Sequence, residues 1–380
     1  MTRSPGRSGS SGAPRSVDVA RLAGVSQKTV SRVFNDEAYV SAEVRRRVLD
    51  AAGELGYRLN HAARALASGR SRSIGVVTLG TALYGPVSLL MGIERAARDA
   101  GYAVRVVNTL EGDPGGVGGA VDSLLKQGVD GIVISEPIDD EEDGRVVSVD
   151  VDVPVLVLGA PAAVASSRTV ASGVGAEPLA RAATEHLLDL GHTTVHHLAG
   201  PQRWFAARDR LEGWRAALAA RDREEPPVVE GDWSAASGYA AGRALAADGD
   251  VTAVFAANDD MAIGLIRALT EAGRRVPDDV SVVGFDDVPV AAYVTPPLTT
   301  VRQPFDAVAE EGIRMLLHAV EKPDVDLPLA NDPPVELVLR ASTARPPSRT
   351  APGRRRRTAP RSPGGTHVPP LPDGGSATKP

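Results

Sequence analysis

A chain of 380 residues is long enough for two or three domains with sizeable cores. It has no cysteine, which excludes disulfides, a thiolate metal site and a cysteine nucleophile, and no apolar run approaches membrane-spanning length. The net charge of −6 hides an asymmetry: residues 1–72 hold 13 basic against 6 acidic side chains, residues 341–380 hold 8 against 1, and the body between carries −20. A basic head on an acidic body is the distribution of a nucleic-acid-binding segment attached to a body that avoids nucleic acid.

Residues 1–15 are Gly/Ser-rich and are expected to form a disordered arm. They lack the apolar stretch of a secretory signal, so a cytoplasmic location with no membrane association is expected. Two short helical patterns then meet at Gly24 in VDVARLAGVSQKTVSRVFN (17–35). The first has Val17, Val19, Ala20 and Ala23 at apolar positions, the second Val25, Thr29, Val30 and Val33, and Ser26 stands where its hydroxyl caps the second helix. Two helices joined at a glycine form a helix-turn-helix, whose second helix enters the DNA major groove. A third helix is expected over SAEVRRRVLDAAGELG, capped by Ser41 and ended by Gly56. The alanine-rich NHAARALASG (60–69) follows.

From Ser73 the pattern changes to short apolar runs alternating with amphipathic helices. The runs at 74–80, 102–110, 130–137, 153–160, 194–201, 227–233, 252–259 and 280–289 suit buried parallel strands, and their alternation with helices implies α/β layers in more than one unit. Ligands in such sheets sit beyond the carboxyl ends of strands, where Gly159, Gly200, Asn258 and Asp286 fall. Residues 344–380, rich in Pro, Arg and Gly, are expected to be a disordered tail, with the run Arg354–Arg357 a source of nonspecific phosphate contacts or simply solvated. The chain has no internal repeat.

The segments DVARLAGVSQKTVSRVFN and SAEVRRRVLDAAGELGY, together with HLAGPQRWFAARDRLEGWRAAL, EGDWSAASGY, FAANDDMAIG, VSVVGFDDVP and PPLTTVRQPF, resemble the LacI/GalR family of bacterial transcription regulators from Val17 to about Ser342. The resemblance implies an N-terminal all-α helix-turn-helix DNA-binding head plus an α/β periplasmic-binding-protein-like core of two subdomains with parallel sheets. The head would span 16–59, the hinge helix and linker 60–72, and the core 73–343. One subdomain would hold about 73–173 and 304–332, the other about 174–302 and 333–343.

The resemblance places Gln27 and Lys28 at the start of the recognition helix, facing base edges. Thr29 and Ser31 approach phosphates, Arg32 lies further along the same face, and Asn35 helps position the backbone. Gln pairs bidentately with adenine, and Lys or Arg contacts guanine O6/N7, so the chemistry agrees. One helix reads only a few base pairs, so a homodimer on a near-palindromic double-stranded operator is expected. The hinge, beginning at Asn60, is too short to be a stable helix alone in water. Leu66 matches the family leucine that wedges into a central minor-groove step. Leu59 stands where the family often has proline, so hinge entry loses some preorganisation.

A small-molecule sugar is the effector that the resemblance implies. A sugar site needs a flat aromatic face and planar polar groups for vicinal hydroxyls. The matching positions are Arg210 as bidentate donor, Asn258 and Asp286 at strand ends, Gln303 on a subdomain crossover, and Trp233 in EGDWSAASGY, with Trp204 and Phe205 lining the same cleft. Bland readings stand beside these: Asn258 and Asp286 as helix caps, Arg210 as a surface ion pair, Trp204 and Phe205 as loop core. Trp214 is assigned to core packing, and Asp286 is favoured over Asp287. Gly159, Gly173 and Val174 replace polar residues that many members carry, which leaves the first subdomain's wall less polar and the sugar's identity open.

No GxSxG elbow, P-loop or cysteine nucleophile points to an enzyme, and neither cofactor nor metal is expected. His192, His196 and His197 alternate in sidedness, which argues against a metal site. A solute-binding protein would share the body but has no use for the basic head. The reading is a repressor of sugar-utilisation genes released by a saccharide inducer, with corepression or activation as alternatives. The tail lacks the leucine heptads of a tetramerising bundle, so a dimer is expected.

Overall fold

The first helix stops because Gly24 adopts the left-handed conformation (φ 64°), and the Val25 N–H bonds back to the Ala20 carbonyl at 3.0 Å. In the computed structural model, which describes residues 14–34, 37, 39–58, 69–109, 116–135, 147–148, 151–158, 164–165, 169–172, 175–325 and 336–347, the head has three helices. These are α1 (Ser16–Ala23), α2 (Gln27–Phe34) and α3 (Ala42–Leu55). The Ser26 hydroxyl accepts the Thr29 N–H at 3.1 Å, the Ser41 hydroxyl accepts that of Val44 at 3.4 Å, and Gly56 ends α3 at φ 62°. Val19, Ala20 and Ala23 of α1 pack with Val30 and Val33 of α2 and Val48, Ala51 and Ala52 of α3. Val17, expected on the apolar face, is 37% exposed. It sits two residues before Val19, about 200° around a helix, and so faces away from that core. Thr29 is half-buried, with its hydroxyl 2.8 Å from that of Ser26.

The body has two main sheets. Sheet one orders its strands β2-β1-β3-β5-β7, all parallel: β1 (Ser73–Leu79), β2 (Ala103–Thr109), β3 (Gly131–Ser135), β5 (Val155–Leu158) and β7 (Thr169–Ser172). The two-residue strands β4 (Val147–Ser148) and β6 (Val164–Ala165) pair with each other. Alternate residues serve opposite faces. Ile74, Val76 and Leu156 pack with Ile93 of α4 (Tyr84–Asp99) and Ala309 and Ile313 of α10 (Phe305–Glu321). Val77, Ile132 and Val155 pack with Val121 and Leu124 of α5 (Gly116–Lys126). β2 differs from the buried strand expected. It is the edge of the sheet, and Val106 on it is 44% exposed.

Sheet two runs β13-β12-β11-β10-β8-β9, parallel except for β13. Its strands are β8 (His196–Ala199), β9 (Val229–Glu230), β10 (Ala253–Ala256), β11 (Ser281–Asp286), β12 (Thr299–Arg302) and β13 (Glu336–Val338). The apolar run 227–233 yields only the two-residue edge strand β9. One face packs on α8 (Ala235–Ala247) and α9 (Asp259–Glu271) through Val254, Val282, Leu245 and Leu265. The other packs on α6 (Ala176–Asp189) and α7 (Phe205–Ala220) through Phe255, Phe285, Leu179 and Trp214. Trp214 is fully buried and its indole N–H donates to the Val195 carbonyl at 2.8 Å, the core role expected of it.

The chain passes between the sheets three times: from β7 to α6, from β12 to α10, and from α10 to β13. Packing continues past the expected core end at 343. Ala344 receives a hydrogen bond from the Ser281 hydroxyl through its carbonyl and donates its N–H back, both at 3.0 Å. The contacts within the chain separate Met1–Pro346 from Pro347–Pro380, and of the second unit only Pro347 is among the described residues. The arginine run 354–357, like the arm before residue 14, lies outside them.

Where α8 crosses α9 the helices approach so closely that a Cβ on Gly264 would lie 2.0 Å from the Ala235 carbonyl oxygen. Gly264→Ala is expected to destabilise the body by about 1–3 kcal/mol or more. Gly118→Ala in α5, where an added Cβ meets nothing within 4 Å, is expected to be neutral or stabilising. Thermal unfolding of the two variants checks the contrast.

Candidate functional site

The C-terminal edges of both sheets face a common cavity of about 140 Å³. Sheet two and its connections supply Trp204, Phe205, Arg210, Trp233, Asn258 and Asp286, and the crossover supplies Gln303. All six residues expected to bind an effector, and Phe205 with them, line one space. Sheet one supplies a different wall: Leu83, Tyr84, Pro86 and Leu89 around the start of α4, Ser135 and Leu158 at strand ends, and Phe305 at the start of α10. Tyr84 and Phe305 meet edge-on, with ring centroids 6.0 Å apart. Sequence reasoning missed this wall. The strand-end rule that marked Asn258 and Asp286 applies equally to Ser135 and Leu158, and would have found those two.

Arg210 is 6% exposed, so it is not a surface ion pair. Its guanidinium donates to the Ala257 carbonyl, lies 3.6 Å from Asp286 Oδ1, and sits 4.0 Å above the centroid of the Phe285 ring. Asp286 also accepts from Gln303 Nε2 at 2.6 Å, which joins β11 to the crossover. Burial pushes the Asp286 carboxyl up to about 6, against the opposing pull of Arg210 and Gln303. Asp287 has a separate task. It accepts from Arg340 at 2.6 Å and Arg302 at 2.7 Å, so the two neighbouring aspartates divide into a cavity residue and an ion-pair anchor.

Asn258 caps α9: its Oδ1 accepts the Met261 N–H at 2.9 Å while its Nδ2 donates to the Trp233 carbonyl at 2.9 Å. Capping and lining the cavity are therefore one arrangement. Trp233 stacks edge-on with Trp204 at 5.5 Å between centroids, and takes a positive φ of 73°. Asp286 (φ 113°) and Asp287 (φ 55°) are strained in the same sense, at about 1–3 kcal/mol each. Gly200 makes room for the indole, since a Cβ there would lie 2.2 Å from the Trp233 ring. Among the described residues, Arg210 Nε and Trp233 Nε1 are buried donors with no acceptor. Gly159, Gly173 and Val174 lie outside the described residues.

On the head, Gln27, Lys28 and Ser31 are exposed on α2, at the spacing of one helical face, with Thr29 and Arg32 half-buried beside them. Gln27 Nε2 donates to the Ser16 hydroxyl at 2.8 Å, and Arg32 pairs with Glu37 at 3.4 Å. Asn35, Leu59, Asn60 and Leu66 lie outside the described residues. The histidines expected not to hold a metal sit apart in role. His192 bonds Thr252 at 3.0 Å and Ser281 at 3.1 Å, and His197 stacks between Trp214 and Phe255.

Residues 17–60 match the bacterial regulatory proteins of the lacI family, and residues 184–343 match the periplasmic-binding-protein-like domain. The chain is 38% identical over 338 residues to the lactose operon repressor of Escherichia coli K12, covering 88% of this chain and 92% of that protein. The chain belongs to the lacI family. Among other relatives, the regulator CelR of Thermobifida fusca is 34% identical, covering 84% of this chain and 94% of that protein. Of solved structures, the lac repressor dimer bound to operator and the anti-inducer ONPF is 36% identical with a TM-score of 0.73, over 88% of this chain and all of that one. The CelR–cellobiose complex is 32% identical with a TM-score of 0.62, over 87% and 99%. This lacI-family member thus has a helix-turn-helix head and an α/β body with parallel sheets. Among its described residues no helix is long and apolar enough to cross a membrane.

Behind the cavity, Asp259 at the start of α9 accepts from the Thr300 hydroxyl at 2.6 Å and the Val288 N–H at 2.8 Å. Burial first, then the nearby Asp286, pushes its carboxyl up to about 8. The folded state therefore holds this proton between pH 4 and 8 where the unfolded chain does not, and stability falls as pH rises through that window. His197, held down to about 4 by burial, acts oppositely but only below about 6.5. Between pH 6 and 8 the thermal midpoint of Asp259→Asn, whose amide oxygen accepts the Val288 N–H and whose NH2 donates to the Thr300 hydroxyl, is expected to gain on that of the unmodified protein. Unfolding curves across that range check this.

Proposed function

We propose that this protein is a sequence-specific repressor of sugar-utilisation genes, released from a near-palindromic operator when a small saccharide enters the cavity. One observation carries the reading. Arg210, Asp286, Asn258, Gln303 and two tryptophans converge on one cavity in a chain whose head is a helix-turn-helix. Planar polar groups against aromatic faces are what sugar recognition requires.

Gln27 and Lys28 are the proposed readers of base edges, with Thr29, Ser31, Arg32 and Asn35 near the backbone. Asn60 begins the hinge that folds on DNA, and Leu66 is the minor-groove wedge. The domain plan is the head at 16–59, the hinge at 60–72 and the two-subdomain body from 73. The proposed assembly is a homodimer, supported by the dimeric state of the lac repressor structure and by exposed Val87 and Met91 one turn apart on α4. Such a protein works at the chromosome, in the cytoplasm, and catalyses nothing. Ligand that favours one relative placement of the two sheets shifts operator affinity by the coupling free energy, about 1–3 kcal/mol or 5- to 150-fold.

Gel shifts on a near-palindromic operator, with a panel of β-glycosides and other sugars, test this. The expected outcome is tight binding weakened by at least one sugar, with Leu66→Ala lowering both affinity and DNA bending. Absence of binding to every such operator overturns the proposal, and a sugar that tightens binding reverses its sign. Sedimentation is expected to give the mass of a dimer. A stable tetramer would refute that assembly.

A further inference from the structure

Residues 70–72 join the hinge to the body, and three hydrogen bonds that they donate to one carboxylate hold residues 71 and 72. Asp130 Oδ1 accepts from the Ser71 N–H at 2.9 Å and the Ser71 hydroxyl at 3.0 Å, while Oδ2 accepts from the Arg72 N–H at 2.7 Å. Arg72 is held there in a left-handed conformation, φ 50°, which a non-glycine residue seldom adopts. Two contacts reinforce the clasp. Arg70 Nη2 donates to the Val320 carbonyl at 3.3 Å, and the Arg72 guanidinium lies 5.8 Å over the Tyr102 ring, whose hydroxyl reaches Glu321 at 3.3 Å.

The clasp lies at the opposite end of sheet one from the cavity, and two rigid elements span the distance. Asp130 immediately precedes β3, whose last residue, Ser135, lines the cavity. Five strand residues cover about 17 Å. α10 begins at Phe305, also a cavity residue, and ends beside Val320 and Glu321 at the linker. Its 17 residues cover about 25 Å. β3 is buried along its whole length, and α10 is locked to α4 where a Cβ on Gly92 would lie 2.8 Å from that of Ala309. Close-packed elements of this kind move as units and do not absorb displacement.

We infer that Asp130 is the positioning residue that couples the cavity to DNA binding, by fastening the hinge linker to the cavity-bearing strand. The inference rests on the repressor reading above and names a residue that touches neither DNA nor effector. Movement of sheet one reaches the hinge only while the linker is held. Without the clasp, residues 70–72 become a tether: the heads still bind operator, but the state of the cavity no longer sets hinge geometry.

Asp130→Ala and Ser71→Ala in the full-length protein test this, with Asp130→Asn as the conservative variant that keeps an acceptor for Ser71 and loses one for Arg72. Operator affinity is measured with and without an active sugar, sugar binding by tryptophan fluorescence, and linker exposure by limited trypsin digestion after Arg70 and Arg72. The expected result for Asp130→Ala is unchanged sugar binding and faster cleavage at the two arginines. The sugar-induced change in operator affinity shrinks from the 5- to 150-fold range to within about twofold of unity. Asp130→Asn and Ser71→Ala fall between. An unchanged sugar-induced ratio in Asp130→Ala overturns the coupling role, as does unchanged trypsin cleavage. Failure of the unmodified protein to bind any operator would overturn the repressor reading, whereas the digestion would still report the clasp.

Discussion

A guanidinium almost wholly removed from water must be neutralised and hydrogen-bonded where it lies, and the cavity is built around that requirement at Arg210. The Ala257 carbonyl, the Asp286 carboxylate and the Phe285 ring each satisfy part of it. Asp286 stands there with its backbone at φ 113° and accepts a hydrogen bond from Gln303. Gln303 lies between β12 and α10, so the pairing that neutralises the arginine also pins the crossover to sheet one. Charge satisfaction and the junction of the subdomains are thus one piece of structure. Any ligand that donates to Asp286 competes within that same network.

The two walls of the cavity differ in chemistry because the two sheets differ in what their strand ends carry. Sheet two ends in Asn258 and Asp286, whereas sheet one contributes Leu83, Tyr84, Leu89 and Leu158 with Ser135 as its polar member. An occupant that bridges both walls has a different interaction free energy when they approach and when they part, which is the condition for a ligand to bias a conformational equilibrium. The parallel arrangement puts the linker at the other end of sheet one, beyond the N-termini of β1 and β3. Anything that shifts the sheet as a body therefore moves both ends.

Much of the head was legible in the sequence because its signals are local. Ser26, Ser41, Gly24 and Gly56 act within a few residues of themselves, and each does what its position foretold. The exposed Val17 was misread because too many valines and alanines were available to define one face. In the body, strand existence was legible from apolar runs, but edge position was not. Val106 is apolar and yet exposed, because β2 has a neighbour on one side only. Strand-end position and resemblance singled out the polar cavity residues, whereas the part of the apolar wall at the start of α4 carried no signal of its own, since Leu83 and Leu89 read as ordinary core.

By itself the sequence determined the kind of molecule: a three-helix head, alternating strands and helices, and the polar side chains at sheet two's strand ends. These follow from periodicity, capping and chemical type, which act over a few residues. Only the tertiary structure decided that Asp286 meets Arg210 while Asp287 meets Arg302 and Arg340, that Asn258 serves cap and cavity together, and that Asp130 holds the linker. Those pairings join residues far apart in the chain. Adjacent positions such as 286 and 287 share composition, and only the backbone turn and the burial around them separate their tasks.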